Sequence, residues 1–594
     1  MLLFNRLFLT VLCIVTTLAY AKSVNPETDY FRVNRNSDDI SDDWDNSIVP
    51  DDFNETGTDT SYRVKSACFS PSTSTYKIVE GNVCQNEDLL VATGRFKNAI
   101  NTTGWSNFEV ETFNTVEPHE QAFAAGFLEG NMTHSLLSNH IQNAIQSYCD
   151  GFTKYCERLK PYFKESFDWI KSEIKIRPAD DIYWSAVKRV YYQLSGMIAG
   201  YDKKDFNPNL YWGYHPILLI NLGGDLYDLE RKFNKTKEVV DKRLPDSGRC
   251  SGLVKLAPNN ADLFISQVTM SGYQMMTRIL KLYKFAYYKH EYPGHTTTFA
   301  SYPGMLYSSD DFALMSSGLA VIETTINVFN NTLYNRTIPK EQIHCWVRAI
   351  VSNQLARNGR EWCEIFSRYN SGTYNNQWVV LDYNKFKPHK PLPKYGVLYV
   401  LEQLPGMSYY KDVTWYLMKY SYFASYNIPF YRPITKFSGF LNKSEHDGPW
   451  FSWKNAPRAK IFARDHHKVT NLDSLKTLMR YNDYTHEEFS KCNCTPPYSA
   501  EAAISARGDL NPKSGKYEFP GQGHNNHGAL DYKGTNYELF QNLTFRAISS
   551  PAYDNVPPFK WSTFDMRDTI KHIGLPDEWK FPEIEIHWET SIDD

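Results

Sequence analysis

The chain has 594 residues, of which 42% are hydrophobic and 22% charged, and its formal net charge is −3 at pH 7. This is the composition of a folded protein with a large core, and the near balance of charge excludes the global basic field that draws a whole molecule onto nucleic acid or an anionic membrane. The 41 Tyr, 35 Phe and 14 Trp suit a large β-rich core or an aromatic-lined site for an apolar ligand.

Residues 1–21 read as a signal peptide. Arg6 supplies the positive region, Leu7 to Leu18 the apolar one, and Ala19-Tyr20-Ala21 a small-x-small cleavage site. No later run approaches the ~20 apolar residues of a membrane helix, so the expectation is a soluble protein of the secretory route. Nine N-x-S/T sequons agree with that route and predict surface glycans: Asn54, Asn101, Asn131, Asn234, Asn330, Asn335, Asn442, Asn493 and Asn542.

Residues 22–62 are acidic and polar and predict a mobile leader. Beyond them "STYKIVEG", "DLLVATGRF" and "NFEVETF" predict strands. "HEQAFAAGFLEGNMTHSLLSNHIQNAIQSYC" predicts a helix pair broken near Gly130, and "DDIYWSAVKRVYYQLSGMIAGY" a further helix. The charged stretch 229–249 predicts an exposed connector. It divides an N-terminal part, 63–249, from a C-terminal part, 250–594, within one folded unit. "LVKLA" and "LFISQVT" then predict a hairpin turning at Asn259-Asn260. Helices are expected over "YQMMTRILKLYKFAYY" and "DDFALMSSGLAVIETTINVF", the second capped by Asp310 and Asp311. "QWVVLDY", "GVLYVLEQLP" and "AKIFAR" predict strands. Helices and hairpins without a βαβ rhythm point to an α+β fold.

An oxidising compartment should pair most of the cysteines beyond Cys13. Cys149 with Cys156 and Cys492 with Cys494 are close enough to be local partners, and Cys68 with Cys84 and Cys345 with Cys363 are further pairings. That assignment leaves Cys250 alone at the start of a strand. "GRCSG" matches the cysteine form of a nucleophile elbow, but that motif needs a strand before it and a helix after it. Here a connector precedes and a hairpin follows. The local motif of papain-like peptidases is absent. Two readings stand. One is an inert buried thiol. The other is an N-terminal nucleophile, in which self-cleavage frees an α-amino group that acts as base for the thiol. The hairpin register sets Cys250 opposite Thr269 and Gly252 opposite Gln267, so Gln267 and Thr269 would lie beside the thiol. His290/His295, His466/His467 and His524/His527 fit no metal motif, and no cofactor is implied.

From about residue 64 to 580 the sequence resembles the phospholipase B-like proteins (lamina ancestor type). The stretches that carry the resemblance include "GFLEGNMT", "CSGLVKL", "ASYPGML", "NSGTYNNQWVVLDY", "EQLPG", "SYNIPF", "PRAKIFARD", "ISARGDLNP" and "PPFKWS". The resemblance implies an αββα N-terminal-nucleophile sandwich of two stacked antiparallel sheets between helical layers. It also implies self-cleavage before Cys250 into two fragments that stay associated, and acyl hydrolysis of phospholipids or other acyl lipids at a membrane surface, with no nucleic-acid partner. Asn375 and Asn376 become candidate oxyanion donors, although strand-end hydrogen bonding explains them equally. Arg464 with Asp465 reads as a structural pair. The chain departs from the family where "HNTW" is usual: Gln267 stands for the histidine and Met270 for the tryptophan. Glutamine cannot titrate. That change motivates an alternative, a catalytically silent self-processed glycoprotein that binds lipid or a protein partner.

Overall fold

The computed structural model describes residues 61–85, 87–235 and 250–592. The expected signal peptide, Asn54, nearly all of the leader and residues 236–249 of the connector lie outside the described residues. Four strands precede the connector: β1 (Arg63–Ser70), β2 (Thr75–Glu80), β3 (Leu89–Ala99) and β4 (Trp105–Thr112). After it come β5 (Cys250–Leu256), β6 (Leu263–Ser271), β7 (Arg278–Lys284), β8 (Thr296–Ser301), β9 (Ala313–Met315), β10 (Leu319–Thr325) and β11 (Asn376–Asp382). β12 (Leu398–Leu404), β13 (Met407–Asp412), β14 (Tyr422–Ser425), β15 (Gly528–Ala529), β16 (Tyr532–Thr535), β17 (Arg546–Ile548), β18 (Phe559–Lys560), β19 (Glu578–Trp579) and β20 (Ile584–Glu585) follow.

Two sheets dominate this mixed α+β fold. The larger runs β13-β12-β11-β10-β9-β8-β7-β4-β3-β1-β2, and the smaller runs β14-β5-β6-β16-β17-β20 with β15 also on β6. All pairings in the larger sheet are antiparallel except β4 with β7. One apolar cluster fills the space between the sheets, with Val254 and Ile265 from the smaller meeting Leu280, Ile322 and Val379 from the larger. Strand β5, "CSGLVKL", is buried at every residue, as expected of a strand covered on both faces.

Helix α1 (Pro118–Met132) lies on the larger sheet, and α2 (Ile182–Tyr201) packs on α1. The expected helix pair forms, and its break, expected near Gly130, comes at Thr133. Gly126 and Gly130 face Gly196 and Gly200, and the two helices touch backbone to backbone. A Cβ on Gly126 would fall 1.9 Å from the Gln193 carbonyl oxygen, and one on Gly196 would fall 2.1 Å from that of Phe123. The remaining helices used below are α3 (Gly223–Lys232), α4 (Cys345–Leu355), α5 (Gly359–Phe366), α6 (Thr414–Tyr420) and α7 (Pro457–Asp465).

Three expected elements differ. "YQMMTRILKLYKFAYY" forms a 3-10 turn, Tyr273–Met276, and then β7. Its Arg278 and Lys281 are buried in ion pairs. "DDFALMSSGLAVIETTINVF" forms the β9–β10 hairpin, turned at Gly318, whose φ of +88° suits glycine. Asp310 and Asp311 are therefore not helix caps. "AKIFAR" belongs to helix α7, with Pro457 in its first turn.

Disulfides join Cys68 to Cys84, Cys149 to Cys156 and Cys492 to Cys494. Cys345 and Cys363 do not pair, contrary to expectation. They sit on separate helices, α4 and α5, as buried free thiols. Asn101, Asn234, Asn335, Asn442, Asn493 and Asn542 are exposed, while Asn131 and Asn330 are half-buried.

The contact of α1 with α2 leaves no room for a methyl group. Gly196→Ala should lower the unfolding free energy by about 3 kcal/mol or more, the cost of forcing two packed backbones apart. Denaturant titration checks this, and a loss under about 1 kcal/mol would show that the helices can separate cheaply.

Candidate active site around Cys250

The observed hairpin pairs Cys250 with Thr269 and Gly252 with Gln267. The orientation of this face is set by Gly252, where a Cβ would approach Ile322 Cδ1 of β10 to 2.9 Å. Cys250, Gln267 and Thr269 therefore face the larger sheet. Met270 points its side chain the other way, where it is buried on the far face of the smaller sheet, and turns its backbone N–H toward the Cys250 thiol.

Two residues hold the Cys250 backbone. Its N–H lies 3.5 Å from Asn427 Oδ1, and its carbonyl accepts a hydrogen bond from Arg458 Nη1 at 2.5 Å. Arg458, on α7, also donates to Ser251 Oγ at 3.1 Å, the Tyr426 carbonyl at 2.9 Å and Asn427 Oδ1 at 2.8 Å. All four acceptors are uncharged. Enclosure lowers the Arg458 pKa to about 10, and at neutral pH the guanidinium keeps its charge beside Cys250. Asn427 is fixed in turn: its φ is +70°, a conformation asparagine tolerates. Its Nδ2 donates to the Thr325 carbonyl at 2.9 Å. Arg458 and Asn427 also line a narrow pocket walled by Tyr426, Phe440, Trp450 and Phe451, with Glu501 at its polar end.

Behind Thr269 lies a buried cluster of charge. Lys533 Nζ donates to Thr269 Oγ1 at 2.6 Å and pairs with Asp531 at 2.8 Å and Asp310 at 3.3 Å. Arg278 pairs with Asp531 at 2.9 Å and also with Asp310. Two positive and two negative groups, all without solvent exposure, leave no net buried charge. Gln267 donates through Nε2 to the carbonyls of Asp310 and Glu323, the latter at 2.8 Å. Its amide thus ties the two sheets together. Burial first, and then Glu323 and Asp310, push the Cys250 thiol pKa well up, so in the uncut chain it is a neutral thiol.

The two asparagines named from sequence are placed differently. Asn375 gives Nδ2 to the Gly372 carbonyl and its N–H to Asp228. Asn376 pairs with Thr325 across β10 and β11, on the opposite side of the sheet from Ile322 and Thr324, which meet the smaller sheet. Asn375 Oδ1 and both amide atoms of Asn376 are buried without a hydrogen-bond partner among the described residues. Arg464 pairs with both Asp465 and Glu487 at 2.7 Å, away from the site. His527 contacts Glu501, His524 contacts Asp565, and His466 stacks on Tyr422.

Sequence reasoning did not single out Asn427 or Arg458, although "SYNIPF" and "PRAKIFARD" carried the resemblance. It also missed Lys533, Asp531 and Arg278, whose charges look like ordinary surface residues until the sheets close over them.

The sequence belongs to a known family. Residues 92–586 match the model of the phospholipase B family, described as Phospholipase B, and the chain belongs to that family. It is 56% identical over 536 residues to a Caenorhabditis elegans protein named "Putative phospholipase B-like 2", covering 90% of this chain and 91% of that one. It is 40% identical over 511 residues to the Homo sapiens protein of the same name, covering 84% and 86%. A Dictyostelium discoideum relative, "Phospholipase B-like protein B", is 33% identical over 507 residues, covering 84% and 85%.

Near the site, the Tyr374 hydroxyl lies 2.7 Å from the Ser309 carbonyl, 2.9 Å from Asp311 Oδ2 and 3.2 Å from Glu323 Oε1. One hydroxyl hydrogen cannot serve three acceptors, so a carboxyl here carries a proton. Burial raises Asp311 to about 8, and likewise Glu402 to about 7 and Asp225 to about 6. A carboxyl whose folded-state pKa exceeds its unfolded value adds stability below the unfolded value and loses it as pH rises through the folded one. Buried His140 and His344, lowered from 6.5 to about 3, act in the opposite sense only below pH 6.5. The denaturation midpoint should therefore fall between pH 6.5 and about 8, and Asp311→Asn should flatten that fall. A midpoint that rises over this range would contradict the assignment.

Proposed function

We propose that this phospholipase B family member is a self-processing acyl hydrolase with an αββα N-terminal-nucleophile fold, acting on phospholipids or other acyl lipids in the secretory or lysosomal lumen. One observation carries the reading. Cys250 opens a central buried strand, its side chain faces the space between the sheets, and its backbone N–H and C=O are separately held by Asn427 and Arg458.

Scission of the bond before Cys250 would turn that N–H into an α-amino group beside Asn427 Oδ1. An α-amine, with an ordinary pKa of about 7.7–8.0, accepts the thiol proton as sulfur attacks the acyl carbonyl. The Arg458 charge favours both the thiolate and the oxyanion. The ammonium then returns the proton to the departing alcohol or amine. Water, deprotonated by the same amine, cleaves the thioester and releases the fatty acid. In this reading Arg458 takes the role that sequence reasoning gave to Asn375 and Asn376. Thr269 and Lys533 hold the partner strand in place, and Gln267 serves as a sheet-to-sheet bridge.

The two fragments would stay together without a covalent link, because the three disulfides each lie on one side of residue 250. Lys281 meets Glu129 across that boundary at 2.6 Å, fully buried, and β4 lies in the sheet beside β7. Disulfides and exposed sequons support an oxidising, glycosylating route.

An acyl electrophile offered to the mature protein should label Cys250 and spare the buried thiols Cys345 and Cys363. Arg458→Ala should lower kcat/KM on an acyl-lipid substrate by roughly 100-fold, as for loss of a group that stabilises the oxyanion. Arg458→Lys should restore part of it. Full turnover in Cys250→Ala would overturn the reading. Normal self-cleavage with no label and no turnover would favour a silent lipid- or protein-binding role.

A further inference from the structure

Four large apolar side chains stand in solvent around helix α6: Trp415 is 54% exposed, Met418 50%, Tyr420 41% and Tyr395, in the loop before β12, 65%. They form one surface. The N–H groups of Val397 and Leu398 both donate to Thr414 Oγ1, at 3.0 and 3.2 Å, and the Gly396 N–H donates to Asp412 at 2.6 Å. The Tyr395 loop is thereby laced to the start of α6. Trp415 and Met418, three residues apart on the helix, share a face.

The same surface is basic in a molecule whose net charge is slightly negative. Lys387, Lys390 and Lys394 on the loop, and Lys411 and Lys419 on either side of Trp415, are all exposed. Between residues 382 and 420 the acids are Asp382, Glu402 and Asp412. Asp382 and Glu402 are buried, and Asp412 is spent on the Gly396 and Thr414 N–H groups. No sequon falls between Asn335 and Asn442, so no N-glycan stands on this stretch.

We infer that the α6 surface docks the protein onto an anionic lipid bilayer, with Trp415, Met418, Tyr420 and Tyr395 entering the headgroup region and the lysines meeting lipid phosphates and carboxylates. Exposed Trp and Tyr with basic flanks are the chemistry of an interface, where an amphipathic ring lies at headgroup depth and lysines draw on the negative surface potential. Among the described residues no helix is long and apolar enough to cross a membrane, and the contact is peripheral. Tyr422, two residues past α6, pairs with Lys255, at the end of β5 away from Cys250. At about 3.3 Å per residue, the surface lies roughly 20 Å from Cys250. It anchors the protein beside lipid and does not shape the reacting centre.

The test is flotation of the full chain with vesicles of phosphatidylcholine, with and without phosphatidylserine, at low salt and at about 1 M salt, where the Debye length is about 3 Å. Binding should require phosphatidylserine and fall with salt. The W415A/M418A double variant should bind at least tenfold less, with unchanged melting temperature. Cys250→Ala should bind as well as the parent, so loss of the hydrolase reading leaves this inference standing. Equal binding to neutral vesicles, no binding by the parent, or undiminished binding by W415A/M418A would overturn it. So would light scattering that shows a dimer converted to monomer by the double variant, because a second copy would then cover the surface.

Discussion

Two cations and two carboxylates locked between the sheets set the position of everything around Cys250. Arg278 enters from the larger sheet, Lys533 and Asp531 from the smaller, and Asp310 from the loop before β9. Removing one member of a buried pair typically costs 3–5 kcal/mol, because the other is left charged and dry. Here each charge has two opposite partners or a neutral hydrogen bond besides, so the cluster is satisfied only when both sheets are in register. Asp531 also accepts the Thr269 N–H, and Lys533 donates to the Thr269 hydroxyl. The strand that faces Cys250 is thus fixed through the same groups that fix the sheets, and Gln267 adds a further cross-link.

The N-terminal part is woven into this arrangement. Its strand β4 completes the larger sheet next to β7, which supplies Arg278. Asp225 and Asp228 of α3 hold the segment before β11 by accepting from Thr373 and from the Asn375 N–H. Tyr334 donates to Asp228 at 2.5 Å. These contacts are buried and polar, so their loss would expose unpaired groups to an apolar interior. A break in the chain before Cys250 would leave this scaffold unchanged and alter only the atoms at the start of β5.

The β5–β6 hairpin was legible in full, register included, because two apolar runs around a Pro-Asn-Asn turn leave few ways to pair. Strands β2 to β4, helix α2 and the α+β class were legible for similar reasons of period. Residues 278–325 were not. Two helices were expected there, but the stretch forms strands, and its Arg278, Lys281, Asp310, Asp311 and Glu323 are buried. The reading of Cys250 drew on its place at the head of a strand. Asn427 and Arg458 were not singled out, since they are 177 and 208 residues away in the chain and the stretches that carried the resemblance did not say which of their residues reach Cys250. Asn375 and Asn376 looked suited to an oxyanion by chemistry, but strand alternation turns Asn376 to the other face of its sheet.

The account depends on Cys250 becoming a chain terminus. Intact-mass measurement and N-terminal sequencing of protein secreted from a eukaryotic host test this most directly. The prediction is two associated fragments, the larger beginning Cys-Ser-Gly-Leu, from the parent chain, and one uncut chain from Cys250→Ala. An active parent protein that remains a single chain, or a Cys250→Ala protein cut at the same bond, would contradict it.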